Sequence, residues 1–277
     1  MLKLSGIQGS QLWHTNRART LITGSSVGQI INGSKINSSN SQYSNAYLEL
    51  AIEKASDGKY RREFTGSNAT NHGMRFEPLA KAFFTELVSG ATLTDLPLCI
   101  NSNLPNIGAS PDGLVQYGDS VVEHLIEIKC PYSRQIDGTI CPNYYHQMQC
   151  QLAICDKPMC YFLECEFKEV ADKETWLKSE SKFKFVFLSR HKWERDVPEC
   201  IEDDELITYW HLTNHLLQEI WREADWYADH KKHFDEFITF VLELRQDNTW
   251  QEFLYKLKHT RQTWADRRII SANKCLI

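Results

Sequence analysis

The sequence predicts an α/β protein in which a mixed central sheet is flanked by helices. Helical and strand-like patterns alternate between residues 76 and 189 instead of segregating into blocks. At 277 residues, 42% hydrophobic and 24% charged, the chain can bury one large core, or one core plus an extension. No apolar run reaches the roughly eighteen residues a membrane span needs. The segment MLKLSGIQGSQLW lacks the apolar stretch of a signal peptide. No membrane and an intracellular location, cytoplasm or nucleus, are therefore expected.

Residues 1–70 are rich in Ser, Asn and Gly, as in NGSKINSSNSQYSN at 32–45, and predict a loop-rich opening with short helices such as 46–56. Leu79, Phe83 and Leu87 recur at helical spacing over 76–88, which puts Glu77 in or near the first turns of a helix, while Pro78 leaves the exact start of that helix open. Strands are expected near 92–100, 106–115 and 121–130, an amphipathic helix over 142–155, and strands near 159–167 and 183–189. From 203 to 266, Trp210, Leu217, Trp221, Phe234, Phe237 and Val241 fall at helical spacing without Gly or Pro, predicting a helical tail. The division is a core domain over 1–200 and a helical C-terminal extension over 201–277 packed on it.

The net charge of −5 is unevenly spread: residues 1–84 carry ten Lys or Arg against five Asp or Glu. That balance of +5, which includes Lys59, Arg61 and Arg62, can guide a phosphate backbone locally, because exposed charges are screened beyond about 8–10 Å. A solvated surface loop explains the same residues. None of the nine cysteines forms a CxxC pair, and Cys150, Cys155, Cys160 and Cys165 are evenly spaced across a helix and a strand, so free buried thiols are expected.

One stretch asks for chemistry. Asp112 sits in a Ser-Pro-Asp-Gly turn, and Glu127 and Lys129 interrupt the apolar run Leu-Ile-Glu-Ile-Lys-Cys, two positions apart on one strand face. Burying them costs several kcal/mol per ion unless a partner or metal compensates. Asp112, Glu127 and the Ile128 carbonyl offer hard oxygens suited to Mg²⁺ or Mn²⁺, and Lys129 can orient or deprotonate a water and stabilise charge on a phosphate. Taken alone, the pattern equally fits a surface hairpin whose Glu and Lys pair with each other.

Its neighbours widen the pattern. QLWHTNR at 11–17, ITGSS at 22–26, HGMRFE at 72–77, GASPDGL at 108–114, the Glu127-Ile128-Lys129-Cys130-Pro131 run and YYHQMQ at 144–149 stand in the order of one family. The chain resembles the YqaJ, or lambda exonuclease, family of PD-(D/E)XK nucleases over residues 8 to about 190. The wording of TGSNATNHGMRFEP and IGASPDGLV is most similar to members from large DNA viruses.

The resemblance implies a restriction-endonuclease-like core and a Mg²⁺-dependent DNA exonuclease, with Mn²⁺ as a substitute, that resects linear duplex ends from the 5′ side. Asp112 and Glu127 would be metal ligands with the Ile128 carbonyl, Glu77 the helix glutamate completing the metal site, Lys129 the catalytic lysine and Gln147 the glutamine that positions water or lysine. Trp13, Arg17, Ser25 and Ser110 would contact DNA. The spacing from Arg17 to Thr23-Gly24-Ser25 is one residue longer than in lambda exonuclease, so Arg19 competes for the arginine's role. The implied partners are duplex DNA ends, with a strand-annealing protein and further copies of the chain left open, in an infected-cell compartment for a viral protein. An endonuclease or RNA-degrading nuclease of the same fold, and an inactive nucleic-acid-binding module, are the rival readings.

Overall fold

The computed structural model describes residues 2–3, 8–37, 42–60, 68–104, 106–188, 192–198 and 207–259; Arg61 and Arg62 lie outside them. The first part of the chain is more helical than its composition suggests. After β1 (Leu2–Lys3) come α1 (Gln11–Arg19), β2 (Ile22–Thr23), a 3₁₀ turn at Gly24–Ser26, α2 (Val27–Gly33) and α3 (Asn45–Ala55). Its serines are helix starts as well as loop residues: Ser10 Oγ accepts from the Trp13 N–H at 3.3 Å and Ser44 Oγ from Tyr47 at 3.2 Å. Next stand α4 (Asn68–Leu87), β3 (Ala91–Thr94), β4 (Cys99–Ile100), β5 (Ile107–Ala109), β6 (Gly113–Tyr117), β7 (His124–Lys129) and α5 (Pro142–Cys155). They are followed by β8 (Met159–Val170), α6 (Lys173–Lys178), β9 (Lys184–Phe187), β10 (Trp193–Glu194), β11 (Thr208–Trp221) and α7 (Trp226–Gln246). A last helical stretch covers 250–259.

Two sheets result. The larger runs β10-β9-β11-β8-β7-β6-β3 and is mixed, with β7 and β8 parallel and the other pairs antiparallel. The smaller runs β1-β4-β5-β2. Alternation along the central strands separates two cores. Leu125, Cys160 and Phe162 face α2, α3, α5 and α7, whereas Ile126, Ile128, Tyr161 and Leu163 face Phe76, Leu79 and Phe84 of α4. Glu127 and Lys129 therefore share the α5 side. Gly28 lets α2 press against the start of α5, since a Cβ there would lie 2.9 Å from the Asn143 Cα.

Four expectations change. Residues 92–100 and 106–115 are not continuous strands: Pro97 and Pro111, which cannot donate to a ladder, stand where the chain passes from one sheet to the other. Helix α4 starts at Asn68, so Glu77 and Pro78 lie mid-helix, Pro78 leaving the carbonyl one turn back without its usual donor. The stretch holding Trp210, Leu217 and Trp221 is the strand β11, not helix, paired with β8 along nearly its whole length. What was expected as a helical extension thus supplies a sheet strand first and α7 second, and Trp226, Phe234, Phe237 and Val241 of α7 enter the α5-side core. Of the seven cysteines among the described residues, six are buried and Cys141 is exposed. No helix among them is long and apolar enough to cross a membrane.

Candidate active site

The crossing between the sheets sets the first carboxylate. Ser110-Pro111-Asp112 links β5 to β6, and Asp112 is tied to β7 on both sides: its N–H donates to the Ile126 carbonyl at 3.1 Å, and its Oδ2 accepts from the Ile128 N–H at 2.7 Å. Glu127, beside it on β7, is 1% exposed. Its Oε1 accepts from Lys129 Nζ and, at 2.7 Å, from Gln147 Nε2; its Oε2 accepts from Gln151 Nε2 at 2.7 Å. Each oxygen of a fully buried carboxylate is thus satisfied, the condition under which such a charge is tolerated. Helix α5 brings both glutamines because positions four apart share a face. Gln147 was expected at this point. Gln151 was not, although its offset from Gln147 was the signal that could have found it.

The electrostatics are those of crowded carboxylates. Burial and the Glu127 charge push the Asp112 pKa well above the usual carboxylate range, against Lys129 and the Ile128 N–H, which pull it down. Burial would lower the Lys129 pKa, but Glu127 and Asp112 outweigh it and the ammonium titrates above its ordinary range. Lys129 is paired with Glu127 at the edge of the cleft, where an ammonium can hold charge. Its Nζ also lies 5.0 Å from the Tyr144 ring centre. These groups border a cleft of about 600 Å³ lined by Met74, Glu77, Asp112, Lys129, Tyr132 and Arg134 among others.

Glu77 stands at the rim and pairs with Lys81 at 3.1 Å. Among the described residues no three His, Cys, Asp or Glu side chains group into a metal cage. The donors at hand, Asp112, Glu127 and the Ile128 carbonyl, are hard oxygens carrying two mutually repelling charges. That set fits a Mg²⁺-like ion, which is ordinarily held by one or two carboxylates with water and phosphate completing the shell.

The front segment forms a second cluster. Arg17 Nη2 donates to Ser25 Oγ at 2.7 Å, and its guanidinium lies 4.9 Å from the Trp13 ring centre. Trp13 Nε1 donates to Ser110 Oγ at 3.0 Å, joining this cluster to the Ser-Pro-Asp crossing. Burial lowers the Arg17 pKa, opposed by attraction from Glu127 and Glu53, so the guanidinium feels the buried carboxylate. Arg19 is exposed and makes none of these contacts.

Residues 12–158 match the family described as the YqaJ-like viral recombinase domain. An uncharacterised protein of Acanthamoeba polyphaga mimivirus is 24% identical over 69% of this chain, and the chain spans about half, 50%, of that relative's length. Among solved structures, an alkaline exonuclease from Laribacter hongkongensis superimposes with a TM-score of 0.52 at 21% identity, over 91% of this chain and 98% of its own. Its complex with dAMP gives a TM-score of 0.53 at 21% identity, over 93% and 99%. A phage-related exonuclease from Haemophilus somnus 129PT gives 0.53 at 15% identity, covering 84% and 99%. These likenesses bear out the PD-(D/E)XK core with its mixed sheet, and the match over more than half of the sequence establishes the family. The chain belongs to the YqaJ-like viral recombinase domain family.

Proposed function

We propose that this chain is a divalent-metal-dependent DNA exonuclease that resects linear duplex ends, working from the 5′ end. The observation that carries the reading is the joining of Asp112, Glu127 and Lys129 on β7 and its neighbouring crossing, with every Glu127 oxygen satisfied and the cleft opening beside them. Mg²⁺ is the expected ion, with Mn²⁺ as a substitute. When bound by Asp112, Glu127 and the Ile128 carbonyl, it would lower the pKa of the attacking water and neutralise phosphate charge.

The remaining steps belong to the chain's own residues. Gln147 and Gln151 fix the Glu127 carboxylate, so its oxygens need not reorganise as the reaction proceeds. Lys129 holds an ammonium beside the position where charge develops on the phosphate. Water oxygen adds to phosphorus, one P–O bond breaks, and the water's proton is lost as the leaving oxygen gains one. Ser110 and Trp13 are joined by a hydrogen bond, Arg17 lies over the Trp13 ring and donates to Ser25, and the four would seat the terminal nucleotide. The YqaJ-like viral recombinase family and the likeness in fold to solved exonucleases support the nuclease reading.

The test is a time course in Mg²⁺ on end-labelled linear duplex, closed circular duplex and RNA. Linear duplex should be shortened from its ends and circular duplex left intact, with Asp112→Asn losing cleavage by orders of magnitude while still binding DNA. Cutting of the circle would make it an endonuclease, preference for RNA a ribonuclease, and DNA binding without cleavage an inactive module.

A further inference from the structure

One wall of the cleft carries a charge that the proposed reaction does not use. Arg134 lies in the connection between β7 and α5 and lines the cleft with Lys129 and Tyr144. Its Nη2 donates to Glu164 Oε1, and its Nη1 to the Gln135 carbonyl at 3.2 Å. Glu164 stands in the middle of β8, in register with Lys129 on β7, and its side chain is 1% exposed whereas that of Arg134 is 41% exposed. Its second oxygen, Oε2, has no hydrogen-bond partner among the described residues.

The placement is costly for the fold alone. Cys160 and Phe162, on the same face of β8, belong to an apolar core, and an aliphatic residue at 164 would continue it without desolvating a carboxylate. What Glu164 does achieve is to fix one guanidinium at the cleft wall, with three of its five N–H donors making no hydrogen bond among the described residues. A planar fork held in this way matches the paired anionic oxygens of a phosphodiester. Lys129, the other lysine or arginine among the described lining residues, is already committed to Glu127.

The geometry points to a second phosphate subsite at Arg134, which takes the internucleotide linkage next to the scissile one, with Glu164 as the residue that positions it. This rests on the nuclease reading above and adds a contact to it. Linear duplexes carrying a single uncharged methylphosphonate linkage at successive positions near the 5′ end test it, with initial rates measured in Mg²⁺ for the wild type, Arg134→Ala, Arg134→Lys and Glu164→Gln.

In the wild type, neutralising one linkage adjacent to the cut should slow cleavage by about ten- to a hundredfold, the worth of a charge-assisted contact. Arg134→Ala should slow the unmodified duplex by a similar factor and show no further loss on that methylphosphonate. Arg134→Lys should recover part of both effects. Glu164→Gln should blunt the methylphosphonate sensitivity and raise KM more than it lowers kcat, without a lower melting temperature, because it removes a buried charge. Arg134→Ala that retains the full wild-type sensitivity, or a wild type indifferent to every neutral linkage near the cut, overturns the subsite. A wild type that cleaves no duplex overturns the nuclease reading and the subsite with it.

Discussion

Two glutamates, Glu127 on β7 and Glu164 on β8, share one sheet face, and each is 1% exposed. Glu127 has a lysine and two glutamines on its two oxygens, whereas Glu164 has one arginine on one oxygen. Equal burial therefore does not mean an equal role. A carboxylate held at both oxygens keeps its position while charge around it changes, which suits the chemical step. One held at a single oxygen fixes its partner's direction more than its own, which suits recognition. Asp112 stands between the two: one carboxylate oxygen accepts from the Ile128 N–H and its own N–H donates to the Ile126 carbonyl, which holds it beside Glu127.

The largest expected effect breaks the Glu127 group at its cation. Lys129→Ala should lower kcat by about 10²–10⁴-fold with little change in apparent DNA affinity at fixed salt, since a backbone spreads its affinity over many phosphates. Single-turnover rates and fluorescence anisotropy on the same duplex separate the two quantities. Weaker binding at unchanged kcat would make Lys129 a backbone clamp and move it to the recognition side of the comparison.

A smaller effect should follow from Gln151→Leu, which keeps bulk but leaves Glu127 Oε2 without its donor. The cost should be about 1–3 kcal/mol of stability, the penalty for an unpaired buried acceptor, read by urea denaturation with EDTA present. Glu164 already lives with such an oxygen, so the sharper control is the double variant Gln151→Leu/Glu127→Gln, which should recover much of the loss. Equal stability of Gln151→Leu and wild type would show that water replaces the glutamine.

The geometry of this candidate site was legible because it is local. Turn residues fix Asp112, the period of two fixes Glu127 and Lys129 on one face, and the helical period turns Gln147 toward them. Strand β11 was not legible, for a physical reason. Leu212 faces Phe167 and Asn214 faces Glu166, so Thr213 is an extra residue that bulges out of the ladder. The bulge resets the alternation, so Trp210, Leu212 and Leu217 pack on the same core although Trp210 and Leu217 are seven residues apart. Seven is also two helical turns, and the stretch reads as a helix. Arg134 and Glu164 escaped for another reason: their pairing bridges 30 positions, and Glu164 sits inside the apolar run CYFLECEF, where nothing local marks it.

The smallest effect concerns Arg17, the arginine of the front cluster. Arg17 is held by Ser25 and lies over Trp13, and the buried Glu127 acts on it through space rather than by contact. A terminal phosphate carries more negative charge than an internal diester, and a guanidinium beside a serine hydroxyl discriminates between them by one charge-assisted hydrogen bond. At about 1.5 kcal/mol, that contact corresponds to a preference of roughly tenfold. The 5′-phosphorylated duplex should therefore be degraded about ten times faster than the 5′-hydroxyl duplex, and Arg17→Ala should remove most of the difference. Arg19, exposed and outside the cluster, should tolerate alanine without loss of discrimination. Initial rates on the two duplexes for the wild type and both variants decide the matter: equal wild-type rates remove any terminal-phosphate role, and loss confined to Arg19→Ala transfers the role two residues along α1.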